Sequence, residues 1–198
     1  MRFGVNWDYR CPFARNIHEH LVTALKAGAP WEVEFIPFSL SQVHVEEDES
    51  PVWEDPTKEK DLYAVAAGLI AHRDFKEVFY DVHQDLFALR HDQAKDITDW
   101  NVLSSVFERY GLDPKAIMDE IKGGEILKVF RSKHEDSVEK YHVFGVPTFF
   151  IDDTATFARV MTRPKGDAKV ARDTIEFILD TVIKHPEFNE IKHTQISR

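Results

Sequence analysis

The hydrophobic and polar positions of the first 38 residues predict a strand, a helix and a second strand. Residues 2–8 favour a strand, and residues 31–38 alternate between apolar and polar side chains with a period of two. Between them, residues 12–27 place apolar side chains at helical spacing. This stripe consists of Phe13, Ile17, Leu21, Ala24 and Leu25. The order and spacing predict a βαβ unit with two parallel strands.

The middle of the chain has a different pattern, which predicts an exposed loop followed by helices. Residues 41–60 are acidic and contain two prolines, as is typical of a solvated loop. Asp113-Pro114 is a helix start signal, an N-cap followed by proline at the first helical position. The candidate helices are residues 58–71, 74–90, 99–110, 114–122 and 124–142.

Strand patterns return near the end of the chain. Residues 146–151 are strongly β-prone, a turn follows at 152–154, and residues 156–161 can pair back as a hairpin. Residues 167–184 predict a last helix, followed by a polar tail. The order β-α-β, helices, β-β-α predicts one α/β sheet domain with an inserted all-helical lid. We expect a core of residues 1–50 and 141–185, an insertion of residues 51–140 and a tail of residues 186–198.

Composition narrows the classes of function. The 25 basic and 35 acidic residues give a net charge of −10, which argues against nucleic acid or an anionic membrane surface as a partner. No apolar run is long enough to span a bilayer, and no signal-peptide pattern opens the chain. One unpaired cysteine fits a reducing cytoplasm. The ten histidines show no metal-ligand spacing, so we expect no metal.

Cys11 is the single cysteine, and it lies where the first strand passes into the first helix. Pro12 suits the first helical position, because its missing N–H needs no partner there. We expect Phe13 and Ala14 to donate backbone N–H groups to the sulfur. These groups would lower the thiol pKa from about 8.5 to about 4–7, and Arg10 and Arg15 would add positive charge. The alternative is a buried, inert cysteine.

Ala14 occupies the position of the second cysteine in a Cys-x-x-Cys motif, so an internal disulfide is excluded. Thiol chemistry at Cys11 therefore requires a mixed disulfide or an adduct with another molecule.

Two motifs together identify a resemblance. Cys11-Pro12-Phe13-Ala14 stands at a helix start, and Gly145-Val146-Pro147-Thr148-Phe149 precedes a late strand. With the predicted element order, this resembles the thioredoxin fold in its DsbA-like form over essentially the whole chain. The resemblance implies that Pro147 is cis and lies beside Cys11. It also implies that Val146, with Thr148 in the same motif, offers backbone groups to an extended thiol ligand.

A narrower resemblance is to an actinobacterial DsbA-like branch that includes mycothiol-dependent reductases. It rests on His91-Asp92-Gln93, Asp96-Ile97 and residues 186–192, and it implies a binding role for His91. The reductases of that branch carry Cys-Pro-Trp-Cys, and here Phe13 and Ala14 depart from the motif. The superfamily also contains kappa-class glutathione transferases and 2-hydroxychromene-2-carboxylate isomerases, which typically have serine at the position of Cys11. Relatives also suggest a homodimer.

Three hypotheses of function follow. The first is a cytoplasmic thiol-disulfide oxidoreductase without a tightly bound cofactor, which uses Cys11 alone with mycothiol or glutathione on a small-molecule or mixed-disulfide substrate. The second is a transferase or isomerase in which Cys11 orients a bound thiol. The third is a thioredoxin-fold binding module without catalysis.

Overall fold

The structure is a computed structural model that describes residues 1–190, 192–193 and 195. Its strands are β1 (Arg2–Trp7), β2 (Glu32–Pro37), β3 (Thr148–Ile151) and β4 (Thr154–Phe157). The helices of this part of the chain are α1 (Pro12–Lys26), α2 (Leu40–Val43), α3 (Tyr63–Asp74), α4 (Lys76–His91), α5 (Trp100–Arg109), α6 (Pro114–Gly123), α7 (Glu125–Tyr141) and α8 (Ala168–Lys184). A 3-10 helix, Pro56–Leu62, leads directly into α3.

The four strands form one mixed sheet in the order β2-β1-β3-β4. β1 and β2 are parallel and joined by α1, which confirms the predicted βαβ unit. β3 runs antiparallel to β1, so that Val5 pairs with Phe149, and β4 runs antiparallel to β3. All residues of β1 after Arg2 are buried, because both faces of the sheet are covered by helices.

α1 and α8 cover one face of the sheet. Their apolar stripes close a small core with side chains of β1 and β3. Its buried members are Phe3, Val5, Ile17, Leu21, Phe149, Ile151, Ile175, Ile178 and Leu179. The helix predicted over residues 167–184 is thus confirmed. Asp167 begins α8 by accepting hydrogen bonds from the backbone N–H groups of Lys169 and Val170.

The helices between β2 and β3 pack on the sheet through a second, larger core. Trp7, Phe35 and Phe38 from the sheet region contact buried side chains of α3, α4 and α7 in this core. The Gly68 position in α3 shows how closely the two parts approach: an added Cβ would lie 2.3 Å from the Tyr9 hydroxyl oxygen. The helical insertion is therefore joined to the sheet by a continuous core, and the site near Cys11 lies beside this junction.

Several predicted boundaries differ from the structure. β3 begins at Thr148 and not at residue 146, because Gly145 to Pro147 form a loop tied to other groups. β4 spans 154–157, earlier than the predicted 156–161, because the turn after β3 is two residues long. The predicted loop 41–60 contains α2 and the start of the 3-10 helix.

The predicted tail reaches residues 191, 194 and 196–198, which lie outside the described residues. The domain limits proposed from the sequence stay a prediction. Within the described residues, no helix combines the length and the apolar character that crossing a bilayer requires.

Candidate active site

Cys11 is the N-cap residue of α1. Its sulfur accepts a hydrogen bond from the Ala14 backbone N–H at 3.4 Å, and Pro12 is the first helical residue, as predicted. The Cys11 backbone N–H donates to the Asp8 carbonyl at 3.1 Å, which closes the turn between β1 and α1. The thiol is buried, and it donates to the carbonyl oxygen of Val146 at 3.2 Å. The two motifs that are 135 residues apart in sequence thus meet at the sulfur.

The pKa expected for Cys11 from its helix position is wrong in direction. Burial raises the pKa of the Cys11 thiol above its ordinary value, and the negative charge of Asp8 adds to this. The N–H groups of Ala14 and Phe13 and the charge of Arg159 act in the lowering direction, but burial outweighs them. The thiol at rest is therefore a neutral hydrogen-bond donor.

The loop opposite Cys11 is held by Asn6 of β1. The Asn6 side chain donates to the Gly145 carbonyl at 3.2 Å and accepts from the Thr148 backbone N–H at 2.6 Å. The Thr148 hydroxyl donates to the same Gly145 carbonyl at 2.9 Å. The Val146–Pro147 peptide bond between them is cis. These bonds hold the Val146 carbonyl at the Cys11 sulfur.

Asp8 is a buried carboxylate beneath the Cys11 turn, and sequence reasoning did not select it. It accepts from the backbone N–H groups of Arg10 and Leu40, both at 2.8 Å. Burial raises the pKa of Asp8, while these two bonds and the charge of Arg10 act against the rise. Asp8 therefore ties the Cys11 turn to the start of α2 and places an acidic group under the thiol.

A buried hydrogen-bonded chain of Tyr9, His83 and His18 also lies next to this turn. The His18 Nε2–H donates to the Asn6 carbonyl at 3.0 Å, and its Nδ1 lies 2.9 Å from the His83 Nε2. The His83 Nδ1 lies 2.7 Å from the Tyr9 hydroxyl. Burial lowers the pKa of His18 to about 4 and that of His83 well below its ordinary value. Both rings are neutral, so each accepts at Nδ1 and donates at Nε2.

This chain joins α4 of the insertion to β1 and α1. The hydrogen bonds between these three residues could not be predicted from the sequence. Tyr9 and His83 are 74 residues apart, and no local pattern identifies either histidine as a partner.

The remaining predicted residues surround Cys11 in different ways. Phe13 is half-buried, and the Arg159 guanidinium carbon lies 5.2 Å from the centre of its ring. Arg10 forms an ion pair with Asp61 at 2.7 Å. His91 donates its Nε2–H to the Tyr9 carbonyl at 2.9 Å, and burial lowers the pKa of this imidazole. Ala14 is fully buried.

An open pocket of about 450 Å³ lies between Pro12 and the end of α4. Its lining residues are Arg10, Pro12, Arg90, His91, Ala94 and Lys95. It contains both Arg10 and His91, the two polar side chains selected from the sequence. Among the described residues, no group of three or more His, Cys, Asp and Glu side chains is arranged to hold a metal ion.

The family model of the DSBA-like thioredoxin domain matches residues 5–164. No curated protein matches the chain significantly.

Solved structures share the fold at low sequence identity. One is the cytosolic disulfide reductase DsbM from Pseudomonas aeruginosa with GSH, at a TM-score of 0.62 and 13% identity, covering 90% of this chain and 99% of the other. A 2-hydroxychromene-2-carboxylate isomerase has a TM-score of 0.62 at 12% identity, covering 93% and 98%. DsbA from Pseudomonas aeruginosa has a TM-score of 0.58 at 16% identity, covering 91% and 85%.

Proposed function

Because the chain belongs to the DSBA-like thioredoxin domain family, we propose that it is a thiol-disulfide oxidoreductase that uses Cys11 alone together with a low-molecular-weight thiol. The observation that carries the proposal is the position of the single cysteine. Its sulfur lies at the N-terminus of α1, receives the Ala14 N–H and faces the Val146 carbonyl. We would not expect a cysteine that only fills space in the core to lie between a helix N-terminus and the Val146 carbonyl.

The proposed reaction has two exchange steps. Cys11 first loses its proton to solvent, and the thiolate attacks a mixed disulfide of the substrate and the small thiol at the sulfur of the small thiol. A bond forms between that sulfur and Cys11, the original S–S bond breaks, and the departing thiolate takes up a proton. A second small thiol, as its thiolate, then attacks the sulfur bound to Cys11 and releases the Cys11 thiolate. The net change converts a mixed disulfide and a thiol into a symmetric disulfide and the free substrate thiol.

The residues around Cys11 supply the binding groups of this proposal. The backbone of Val146, in the loop with Pro147 and Thr148, pairs with the cysteinyl part of the thiol, and Phe13 packs beside it. Arg10 and His91 bind the polar remainder. The co-substrate is mycothiol or glutathione. The GSH in the DsbM structure, which shares the fold, supports this class of ligand. We further propose that the protein is a cytoplasmic homodimer. We also propose that it belongs to the actinobacterial DsbA-like branch that includes mycothiol-dependent reductases.

The test is the reaction of Cys11 with glutathione disulfide. We expect the wild-type protein to form one mixed disulfide, visible in the intact mass, and to release it on addition of reduced glutathione. Cys11→Ser and Cys11→Ala should both lose the adduct and all steady-state disulfide reductase activity. A wild-type protein that forms no adduct in the folded state, but does so after unfolding, would refute the proposal.

A second candidate function is favoured by the protonation state of Cys11. A neutral thiol that donates a hydrogen bond, as Cys11 does to Val146, is suited to hold the thiolate of a bound co-substrate without bonding to it. This is the chemistry expected of a kappa-class-transferase-like or isomerase-like enzyme, and an isomerase shares the fold.

The serine variant separates the two candidates. Serine retains a donor at the same position, so Cys11→Ser should keep transferase or isomerase turnover while Cys11→Ala loses most of it. The oxidoreductase loses activity with either substitution. A binding module without catalysis shows no turnover in any of the three proteins.

A further inference from the structure

The pocket beside Pro12 has an electrostatic character opposite to that of the whole protein. The chain has a net charge of −10, but three of the six lining residues are cations and none is acidic. Pro12 follows Cys11 directly, so the pocket begins one residue from the sulfur.

Arg90 and Lys95 are the cations of this pocket whose charge is available to a ligand. Both are exposed, and within residues 1–190 neither takes part in an ion pair. Arg10 differs, because Asp61 already neutralises it at 2.7 Å. The neighbouring carboxylates are also engaged: Asp92 binds Arg15 and Arg163.

Two further acids feel the charge of Arg90: Asp8, which is buried and bound to backbone N–H groups, and Asp96, which is held by a local turn. The Asp96 carboxylate accepts from the backbone N–H and the hydroxyl of Thr98, at 2.9 and 2.8 Å. These bonds first, and the charges of Arg90 and Arg10 in addition, lower the pKa of Asp96. Asp96 thus senses Arg90 without forming an ion pair with it, and it does not line the pocket.

The backbone after α4 brings the second cation back towards the first. Ala94 has a φ of 52°, in the left-handed region, and the Lys95 N–H donates to the Leu89 carbonyl at 2.8 Å. This turn reverses the chain, so Lys95 lines the same pocket as Arg90 although the two are five positions apart. His91 is fixed by its bond to the Tyr9 carbonyl and, as a neutral ring, offers an acceptor at Nδ1 rather than a third free charge.

We propose that Arg90 and Lys95 bind a carboxylate of the thiol co-substrate, so that this protein uses an anionic thiol of the glutathione class rather than an uncharged sugar thiol such as mycothiol. This assignment rests on the proposed function and selects between its two co-substrates. An arginine and a lysine with free donors bind a carboxylate through charge-assisted hydrogen bonds. The hydroxyl groups of an uncharged sugar thiol leave both charges without a counter-ion.

The test compares three small disulfides of the same chemistry and different charge: dithiodipropionate, which is anionic, hydroxyethyl disulfide, which is neutral, and cystamine, which is cationic. The second-order rate of Cys11 modification is measured for the wild-type protein and for Arg90→Gln/Lys95→Gln. The matched control is Lys76→Gln/Lys122→Gln, which removes two other exposed lysines and gives the same net charge.

We expect the wild-type protein to react faster with the anionic than with the neutral disulfide. In Arg90→Gln/Lys95→Gln this ratio should fall about tenfold, the size of effect expected from losing charge-assisted contacts of about 1.4 kcal/mol. The control should keep the wild-type ratio, and the neutral disulfide should react equally with all three proteins. An unchanged ratio in Arg90→Gln/Lys95→Gln, or an equal fall in the control, would overturn the proposal.

A second stage identifies which molecule carries the carboxylate. Reaction with hydroxyethyl disulfide leaves a neutral hydroxyethylthio group on Cys11. This group is then removed with either glutathione or mercaptoethanol, and the rate of removal is measured. We expect Arg90→Gln/Lys95→Gln to slow release by glutathione and not by mercaptoethanol. Slowing confined to the first step, with the anionic disulfide, would assign the pocket to the disulfide substrate and overturn its assignment to the thiol.

Failure of the pocket and failure of the oxidoreductase function have different signatures. If Cys11 reacts with none of the disulfides, the exchange chemistry fails. The pocket is then still tested by titrating S-methylglutathione, which cannot exchange, into Cys11→Ser and following backbone amide shifts by NMR. Shifts at Arg90 and Lys95 that the Arg90→Gln/Lys95→Gln substitutions abolish support the anion site, and their absence refutes it.

Discussion

The two regions next to Cys11 differ in charge: one contains buried, uncharged side chains, and the other contains exposed cations. Beneath the Cys11 turn, Tyr9, His83 and His18 are buried, hydrogen-bonded to each other and held neutral. Beside it, Arg90 and Lys95 are exposed cations in an open pocket. Burial therefore sets the protonation state of the first region. The cations of the second region are exposed to solvent and open to exchanging ligands.

The largest predicted effect is the loss of stability at acidic pH, where the buried histidines become protonated. His18 has a pKa of about 4 when folded against 6.5 as its ordinary value, so the unfolded chain binds a proton over this range before the folded chain does. Stability is then full above about pH 6.5 and falls as the pH drops towards 4, by about 3 kcal/mol for His18 at roughly 1.4 kcal/mol per pKa unit. His83 acts in the same direction.

Denaturant unfolding at a series of pH values between 7 and 4 measures this slope. His83→Gln should make the slope shallower, because glutamine retains a donor and an acceptor but does not titrate. The control His44→Gln removes an exposed histidine and should leave the slope as in the wild-type protein. Equal slopes in all three proteins would mean that the buried chain is not held neutral in the folded state.

An effect of similar size is expected from a substitution that separates Tyr9 from α3. In Gly68→Ala the new Cβ would lie 2.3 Å from the Tyr9 hydroxyl oxygen and 3.0 Å from its ring. Either α3 or Tyr9 must shift, and a shift of Tyr9 breaks its bond to His83. Overpacking and the lost bond together should lower the free energy of unfolding by about 2–4 kcal/mol.

Gly123→Ala is the matched control for this substitution. Gly123 is the last residue of α6, and an added Cβ there meets nothing within 4 Å. Alanine should leave the stability unchanged or raise it slightly, since its helix propensity is higher than that of glycine. A Gly68→Ala protein as stable as Gly123→Ala would contradict the close approach of Tyr9 and α3.

The sequence predicted the Cys11 region well wherever the determinants are local. A strand end, a single cysteine and Pro12 are enough to predict an N-cap, and the Ala14 N–H bond to the sulfur follows from helix geometry. The βαβ unit and the inserted helices likewise follow from hydrophobic spacing. These features depend on residues close together in the chain, which is where periodicity and start signals carry information.

The direction of the Cys11 pKa was not predictable in this way. The helix N-terminus lowers it, as the sequence indicated, but the cover provided by the Val146 loop and the insertion is a tertiary effect, and burial dominates. Asp8, Tyr9 and His83 were missed for the same reason, since their partners are distant in sequence. Arg90 and Lys95 enter one pocket only because Ala94 adopts a left-handed conformation, which no residue type at that position signals.

The smallest effect tests how far the exposed charges influence the buried thiol. Arg159 is exposed, lies over the ring of Phe13, and lowers the pKa of Cys11 against the stronger effect of burial. Arg159→Gln should raise that pKa only slightly, because the interaction passes through solvent and is screened. The pH dependence of Cys11 alkylation measures it, with Arg172→Gln on α8 as a control that should show no change. Addition of salt to about 1 M, where the Debye length is roughly 3 Å, should remove the difference between wild type and Arg159→Gln. If the difference persists at high salt, Arg159 affects the pKa of Cys11 through the packing of Phe13 and not through its charge. The exposed cation and the buried thiol are then coupled by contact rather than by an electrostatic field.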